Sequence, residues 1–223
     1  MKGDPMFSTK LSGARPLDWP RLSRVESIGA AIGHTIYHLE EVTSTNVLMA
    51  ELVPDTLSAG TVILADHQTA GRGKQDRPWF SIPGSGLCLS VLLQPRRPIE
   101  ESYQITPLVA VAVADAIAAI AGADVGIKWP NDILVDGRKL CGILCELVLQ
   151  PDGETGHVIV GIGLNVAASS SEMPDIIRQI STGVSDVAGR NIDRLELLEG
   201  LLKALEARFL DWENNGFASI RSE

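Results

Sequence analysis

The segment Arg138–Leu149 reads RKLCGILCELVL, a long apolar run whose charge is confined to its first two residues and Glu146. Asp and Gly at 136–137 precede this run, and a polar turn at Pro151–Gly156 follows it. An Asp-Gly pair beside an apolar run is typical of a tight hairpin turn. The segment is therefore predicted to be a strand with a hairpin turn at each end. Cys141 and Cys145 share one of its faces with apolar residues, so both are interpreted as small core side chains.

The returning strand, His157–Val166, has two different faces. One face is apolar, whereas the other carries Ile159, Gly161, Gly163 and Asn165. Since successive side chains point to opposite faces of a sheet, the second face is bare over two glycines and ends in an amide. A flat ligand can lie against such a strip. The alternative is that the glycines serve a close-packed helix or a bulge.

The rest of the chain alternates between short apolar runs and helical patterns. Pro130 is expected to break a strand that ends at Lys128, and His38 is interpreted as a strand-surface side chain. The predicted strands are Thr35–Leu39, Thr61–Asp66 and Leu87–Leu93, and the predicted helices are Leu17–Ile32, Val47–Leu52, Tyr103–Ala121 and Ile192–Asn214.

Composition limits the possible functions. The 223 residues suffice for one large domain, and 19 Lys+Arg against 28 Asp+Glu give 19 − 28 = −9. This acidic balance argues against a protein that binds nucleic acid by neutralising phosphates. No run was found that approaches the apolar length of a membrane span, and the N-terminus lacks the apolar core of a signal peptide. Three cysteines without CxxC spacing favour neither a disulfide framework nor a zinc site, so a reduced, cytoplasmic protein is expected.

A cationic loop, Ala70–Phe80, lies between two of the predicted strands. It is too polar and too broken by Gly and Pro to be a helix or strand interior. Its cations suit phosphate or carboxylate oxygens, and Trp79 can cover an aromatic or apolar ligand face. Taken alone, the loop is equally compatible with an exposed surface excursion.

Three polar residues, Ser44, Thr45 and Asn46, precede the helix at Val47–Leu52. Such residues are common helix N-caps, but capping alone accounts for one of them. The remaining hydroxyl and amide groups indicate a site for a polar, uncharged ligand group.

Five ordered motifs together resemble a biotin–protein ligase over about Tyr37–Val166. The motifs are Thr43-Ser44-Thr45-Asn46, Gln68 with Gly71-Arg72-Gly73-Lys74 through Trp79, Lys128-Trp129-Pro130-Asn131-Asp132, Arg138-Lys139 through Glu146, and Gly161-Ile162-Gly163-Leu164-Asn165. The resemblance implies an α+β fold like that of class II aminoacyl-tRNA synthetases, with a mixed, mostly antiparallel sheet and helices packed on one side. It assigns residues 17–223 to this catalytic domain and 1–16 to an N-terminal tail.

The family reaction implies roles for these residues. Biotin and ATP form biotinyl-5′-AMP, and a lysine of a biotin carboxyl carrier domain then accepts the biotin. Lys139, Arg72 and Lys128 are the implied catalytic cations. The implied biotin contacts are Ser44, Thr45, Asn46, Gln68, Arg72, Gly73, Lys74, Lys139 and Gly142. The implied ATP contacts are Arg72, Lys74, Trp79, Lys128, Asn131, Asp132 and Asn165, with Asp132 also a candidate Mg²⁺ ligand.

The chain departs from the family pattern in the loop and at its ends. The family usually has Arg at Lys74 and often has Gly at Asp76, where a left-handed turn is therefore expected. The short N-terminal segment predicts no DNA-binding domain and no repressor function, and the C-terminal barrel of the family is expected to be absent. Homodimerisation is left open. The alternatives are a lipoate-type ligase of the same superfamily and a non-catalytic biotin-binding relative.

Overall fold

Ten strands are present in the computed structural model, which describes residues 15–16, 31–53, 57–150, 156–167 and 172–221. They are β1 Arg15–Pro16, β2 Ile36–Val42, β3 Val62–Gln68, β4 Gly71–Arg72, β5 Pro78–Trp79, β6 Gly86–Leu93, β7 Gly126–Lys128, β8 Asp132–Val135, β9 Arg138–Leu149 and β10 Gly156–Asn165. Eight of them form one sheet in the order β1-β2-β3-β6-β10-β9-β8-β7. The other two, β4 and β5, pair with each other.

The helices connect and cover this sheet. They are α1 Thr45–Leu52, α2 Ile105–Ala121, α3 Asp175–Ile180, α4 Val184–Ala188, α5 Arg194–Asn215 and α6 Ala218–Arg221, with 3₁₀ turns at Lys74–Asp76 and Ile99–Gln104. The strands and helices predicted within the described residues are therefore confirmed, with small shifts at their ends. The helix predicted at Leu17–Ile32 and the tail at 1–16 lie almost wholly outside the described residues.

Strand pairing agrees with the expected α+β fold. Only β2 and β3 pair in parallel; the other neighbouring pairs in the sheet are antiparallel. The turn between β8 and β9 has positive φ at both Asp136 (50°) and Gly137 (75°), as a tight hairpin turn of the predicted kind requires. The long apolar run Arg138–Leu149, β9, lies between β8 and β10 in the sheet.

The two faces of the sheet are covered unequally. The helices α2 and α5 bury one face, in a cluster that includes Leu64, Val91 and Val160. The short helix α1 packs on the opposite face, where Met49 contacts a smaller cluster with Ile63 and Ile159. The expectation of helices on one side only is thus wrong for α1. Its eight residues cover part of that face and leave the strand ends beside it open for a site.

The helix α2 has the apolar composition of a membrane span, although most of it is buried in the fold. Together with the 3₁₀ turn before it, Ile99–Ala121 is long and apolar enough to cross a membrane, contrary to the expectation from the sequence. In the fold, most of its apolar stretch is buried between the sheet and α5. Gly122 ends the helix in the left-handed conformation, at the predicted position.

The burial of His38 and of the cysteines of β9 tests two further predictions from the sequence. His38 is not a surface residue: it is 6% exposed, and its Nε2 lies 2.9 Å from Asp66 Oδ2. Asp66 Oδ1 also accepts a 2.7 Å hydrogen bond from Arg194, so this carboxylate links β2 and β3 to α5. Cys141 and Cys145 pack against the main cluster as predicted, and burial raises the pKa of the Cys145 thiol to about 12. A thiol with so high a pKa is a poor nucleophile.

Candidate active site

Two adjoining cavities lie on the face of the sheet that carries α1, and the indole of Trp79 stands between them. The inner cavity reaches under the α1 N-terminus, and its polar lining is Ser44, Thr45, Asn46, Gln68 and Arg72. The outer cavity is lined by Arg77, Lys128, Trp129 and Asp132. Both cavities share Gly73, Lys74, Trp79, Asn131 and Lys139. The fold therefore brings nearly all the predicted site residues together.

Gln68 caps α1. Ser44 occupies the N-cap position in extended conformation, but its side chain makes no capping hydrogen bond. Gln68 Oε1 instead accepts the backbone N–H of Thr45 at 2.8 Å. This satisfies one of the free N–H groups at the start of the helix. The side chain of Ser44, 3% exposed, lines the inner cavity without serving as the cap.

Asn46 is held on three sides. Its Nδ2 donates to Leu144 O at 3.2 Å and to Glu146 Oε2 at 2.8 Å, which uses both amide hydrogens. Ser90 Oγ lies 2.5 Å from Asn46 Oδ1 and 2.8 Å from Thr45 Oγ1. Because Ser90 is fully buried, these bonds form away from solvent and fix the orientation of the amide.

The glycine strip on β10 is covered by protein side chains. A Cβ on Gly161 would lie 2.4 Å from Asn46 Oδ1, and one on Gly163 would lie 2.4 Å from Trp79 Cε2. The strip thus allows Asn46 and Trp79 to approach the strand backbone. That a flat ligand lies against this strip stays a prediction. The free volume left in the inner cavity is about 50 Å³, far below the ~300 Å³ or more typical of a ligand site, so side chains that line it have to move to admit a ligand of that size.

The cationic loop is a small hairpin rather than an irregular excursion. Gly71 pairs with Trp79 and Arg72 with Pro78, and a 3₁₀ turn closes the end. The left-handed residue is Gln75 (φ 59°), not Asp76 as the resemblance led us to expect. Gly71 is needed for close approach, since a Cβ there would lie 2.7 Å from Trp79 O. The hairpin therefore carries Arg72, Lys74 and Trp79 as one unit.

Each of two cations at the site has a carboxylate partner. Arg72 Nη2 lies 2.8 Å from Glu146 Oε1, and Lys139 Nζ lies 2.7 Å from Asp132 Oδ1. Lys139 Nζ is also 5.7 Å from the centre of the Trp79 ring, within cation–π range. The side chains of Arg72 and Lys139 remain 44% and 36% exposed, so both are accessible to an incoming anion.

A β-bulge turns Lys139 toward the cavities. In the pairing of β8 with β9, Ile133 lies opposite Cys141, and the next residue, Leu134, lies opposite Lys139. Leu140 therefore has no partner in β8 and is the extra residue of the bulge. Leu140 and Cys141 are both buried in the main cluster. The regular alternation is thereby reset, and Lys139 shares the site face with Gly142, where a Cβ would lie 3.3 Å from Lys139 Nζ. Bulges beside active sites commonly re-aim a side chain in this way.

Asn165 lies behind Lys139. Its Nδ2 is 3.3 Å from Lys139 O, and the N–H of Thr182 donates to the same carbonyl at 2.9 Å. These bonds support the backbone of Lys139 directly. The predicted contact of Asn165 with a nucleotide remains a prediction.

Sequence reasoning assigned no role to two residues of the site, Ser90 and Glu146. Ser90 is the only hydroxyl in the apolar strand β6, and Glu146 is the only charge in the second half of β9. A single polar residue in a buried strand needs a hydrogen-bond partner, so its position in an apolar run could have indicated a role. The sequence did not show that Ser90 and Glu146 both bond to Asn46 on α1.

Two kinds of polar group line the cavities. The hydroxyl and amide groups under α1 suit an uncharged polar group, and the cations where the two cavities meet suit phosphate or carboxylate. Across the described residues, no group of three or more His, Cys, Asp or Glu side chains is placed to hold a metal ion. A cation at this site would depend on ligands from a bound molecule in addition to Asp132.

Comparisons with known proteins agree with this geometry. Residues 38–165 match the model of the biotin/lipoate A/B protein ligase family. The bifunctional ligase/repressor BirA of Bacillus subtilis is 40% identical over 188 residues, which cover 84% of this chain and 57% of that protein. The biotin–[acetyl-CoA-carboxylase] ligase of Mycobacterium tuberculosis is 36% identical over 208 residues, covering 89% and 73%.

A solved structure shows the same fold. The biotin protein ligase of Aquifex aeolicus in complex with biotin and ATP superposes with a TM-score of 0.73 at 32% identity, covering 84% of this chain and 75% of that one. The chain spans a little over half the length of the Bacillus relatives. The family match, the identities and the shared fold together show that this chain belongs to the biotin/lipoate A/B protein ligase family.

Proposed function

We propose that this chain is an ATP-dependent biotin–protein ligase, which forms biotinyl-5′-AMP and transfers the biotin to a lysine of a carrier protein. The relatives named above as biotin ligases support this function. The single observation that carries it is the junction of the two cavities. A buried cluster of uncharged polar groups, suited to the urea head of biotin, opens directly onto Arg72, Lys74 and Lys139, suited to anions.

The first step joins two anions. A biotin carboxylate oxygen attacks the α-phosphorus of ATP, the bond from that phosphorus to the bridging oxygen breaks, and pyrophosphate leaves. Positive charge is needed to reduce the repulsion and to stabilise charge at phosphorus. In this proposal Lys139 holds the carboxylate, Arg72 and Lys74 hold carboxylate and phosphate oxygens from the hairpin, and Lys128 faces the phosphates in the outer cavity.

The second step needs no protein nucleophile. The carrier lysine, as the neutral amine, attacks the acyl carbon of the mixed anhydride, the bond to the phosphate oxygen breaks, AMP leaves with the electron pair, and the nitrogen loses one proton to solvent as the amide forms. Lys139 then stabilises negative charge on the acyl oxygen. Trp79, between the cavities, is the side chain that we propose covers the nucleotide once it has moved off Gly163.

Mg²⁺ fits this site only as an ion that arrives with ATP. Mg²⁺ at such sites is commonly held by one or two carboxylates and by substrate phosphates. Asp132 is the carboxylate we propose, and its Oδ1 is already bonded to Lys139. When bound, the ion would neutralise phosphate charge.

The proposed partner is the biotin carboxyl carrier domain of a biotin-dependent carboxylase, as the name of the Mycobacterium tuberculosis relative suggests. A cytoplasmic location, with no nucleic acid or membrane partner, belongs to the same proposal. The acidic net charge of −9 supports the part of this proposal that concerns nucleic acid.

Pyrophosphate exchange tests the proposal. We expect the chain to incorporate labelled pyrophosphate into ATP when biotin is present and not when lipoate replaces it. Exchange that depends on lipoate would identify a lipoate-type ligase instead. Biotin binding without exchange would identify a non-catalytic relative, and either result would refute the proposed reaction.

A further inference from the structure

Glu146 is a charged residue beside the inner cavity, and it has no part in the proposed reaction. It lies on the site face of β9 with its two carboxylate oxygens bonded to different elements. Oε1 accepts from Arg72 on the hairpin at 2.8 Å, and Oε2 accepts from Asn46 on α1 at 2.8 Å. Glu146 is therefore a direct link between the hairpin and the buried cluster of the inner cavity.

The chemistry of this link requires a carboxylate. Both neighbours present N–H donors, so the bridging side chain must accept a hydrogen bond at each end. An ionised Glu has two acceptor oxygens and no donor, whereas Gln has one oxygen and one NH₂ group. In a Gln at this position, the NH₂ group would face either Arg72 or Asn46, and one of the two bonds would be lost.

The two ends of the bridge differ in how firmly they are held. Asn46 is 4% exposed and is fixed by Ser90 and Leu144 as well as by Glu146. Arg72 lies on a two-residue strand and is 44% exposed. A long, exposed side chain loses much rotamer freedom when it is held in one place. The rigid end at Asn46 thus supplies the orientation, and the bridge transmits it to Arg72.

We propose that Glu146 is a positioning residue that fixes the guanidinium of Arg72 relative to the biotin head-group site. This inference rests on the proposed function, because it assigns a purpose to the orientation of Arg72. With the bridge intact, Arg72 is in place before biotin binds. Without it, Arg72 must be ordered at the expense of binding free energy.

Glu146→Gln tests this role, with Glu101→Gln as the matched control. Glu101 also pairs with an arginine, Arg97, at 2.8 Å, and its side chain is 29% exposed compared with 31% for Glu146. Arg97 lines neither cavity, whereas Arg72 and Asn46, the partners of Glu146, both line the inner one. We expect calorimetry to show biotin binding about 10-fold weaker in Glu146→Gln, as for loss of one hydrogen bond to a charged group, and unchanged in Glu101→Gln.

A double-mutant cycle separates positioning from a general structural effect. In an Arg72→Met background, the Gln oxygen at position 146 can still accept from Asn46 and no longer has a second donor to satisfy. Glu146→Gln should then weaken biotin binding by less than about twofold beyond Arg72→Met alone. A full 10-fold loss in that background would show that Glu146 acts independently of Arg72 and would overturn the proposal, as would native affinity in Glu146→Gln.

Limited trypsin digestion gives a second readout that needs no ligand. Trypsin must take the Arg72 side chain into its own pocket, so the bond to Glu146 should slow cleavage after Arg72. We expect faster cleavage at this bond in folded Glu146→Gln than in the unmodified chain or in Glu101→Gln. Equal rates would overturn the proposal. If the unmodified chain failed to bind biotin, the proposed function would fail, while this comparison would still decide whether Glu146 holds Arg72.

Discussion

The buried end of the inner cavity and the junction between the two cavities hold their polar groups in opposite ways. In the inner cavity, Ser44, Thr45 and Asn46 are no more than 4% exposed, and the amide of Asn46 has its hydrogens bonded within the protein. Where the two cavities meet, Arg72 on the hairpin and Lys139 at the bulge are 44% and 36% exposed, and each is paired with one carboxylate.

This difference matches the two kinds of group that the proposed substrates carry. A neutral urea head is recognised by shape and by fixed hydrogen bonds, so a rigid, buried cluster suits it. Carboxylate and phosphate groups change their charge and partners during the reaction, so exchangeable ion pairs suit them. The predictions below change the cations or the buried cluster in turn, and the last one concerns the fold.

The largest effect is expected from Lys139→Met. Removing the cation that the bulge turns into the site should lower biotin-dependent pyrophosphate exchange by about 100-fold or more, because charge at the transition state loses its stabilising partner. Lys203→Met, on the exposed side of α5, is the control and should exchange normally. Exchange within a few-fold of normal in Lys139→Met would contradict the assigned role.

Gly161→Ala should lower the free energy of unfolding more than Gly163→Ala does. The added Cβ would lie 2.4 Å from the Asn46 amide in the first variant and 2.4 Å from the Trp79 ring in the second. Asn46 is held by buried bonds, so we expect Gly161→Ala to lower the free energy of unfolding by about 1–3 kcal/mol. Trp79 can swing toward the outer cavity, so Gly163→Ala should cost less.

Denaturant unfolding measures both variants. Gly126→Ala on β7 is the control, because its Cβ would approach no atom closer than 3.8 Å. Equal losses of stability in Gly161→Ala and Gly163→Ala would show that Asn46 and Trp79 are held with equal rigidity.

A smaller effect is expected from Lys74→Arg on the hairpin. Arginine restores the planar fork usual in the family and can bond two oxygens of one anionic group, whereas lysine acts as a compact point charge. Release of biotinyl-5′-AMP should therefore slow several-fold, as followed by loss of pre-formed adenylate from the protein. An equal or faster release rate would refute this expectation.

The smallest effect concerns the fold rather than the site. His157, at the end of β10 away from Asn165, has its pKa lowered by burial, so the folded state favours the neutral ring. The unfolded chain then binds the proton first, and stability should fall as pH drops below about 6.5 toward the lowered pKa. His157→Gln should flatten this part of the stability curve. An unchanged pH slope would contradict the burial argument.

Much of the fold and of the site composition could be predicted from the sequence. The apolar run at β9, the alternation in β10 and the Asp136–Gly137 turn identified the central hairpins. The motifs identified nearly all of the residues that line the cavities. These features depend on local patterns and on spacing along the chain, both of which are visible without coordinates.

The remaining features depend on contacts between distant segments. Regular alternation would place Lys139 on the helix-covered face, and only the bulge at Leu140 brings it to the site. The partners of Ser90 and Glu146 are about 44 and 100 residues away on α1. The position of Trp79 over Gly163 likewise follows from how the hairpin folds back. Such pairings are determined by tertiary packing, which a local pattern does not encode.

The central claim is that the buried cluster binds the urea head and that Lys139 binds the carboxylate. It can be tested by measuring how two ligands bind to one variant. Biotin and biotinol share the urea head, but biotinol has an alcohol in place of the carboxylate. Titration calorimetry of the unmodified chain and of Lys139→Met should show biotin affinity falling toward that of biotinol, while biotinol affinity stays the same. An equal loss of affinity for both ligands would contradict the account, because Lys139 would then support the head-group site as well.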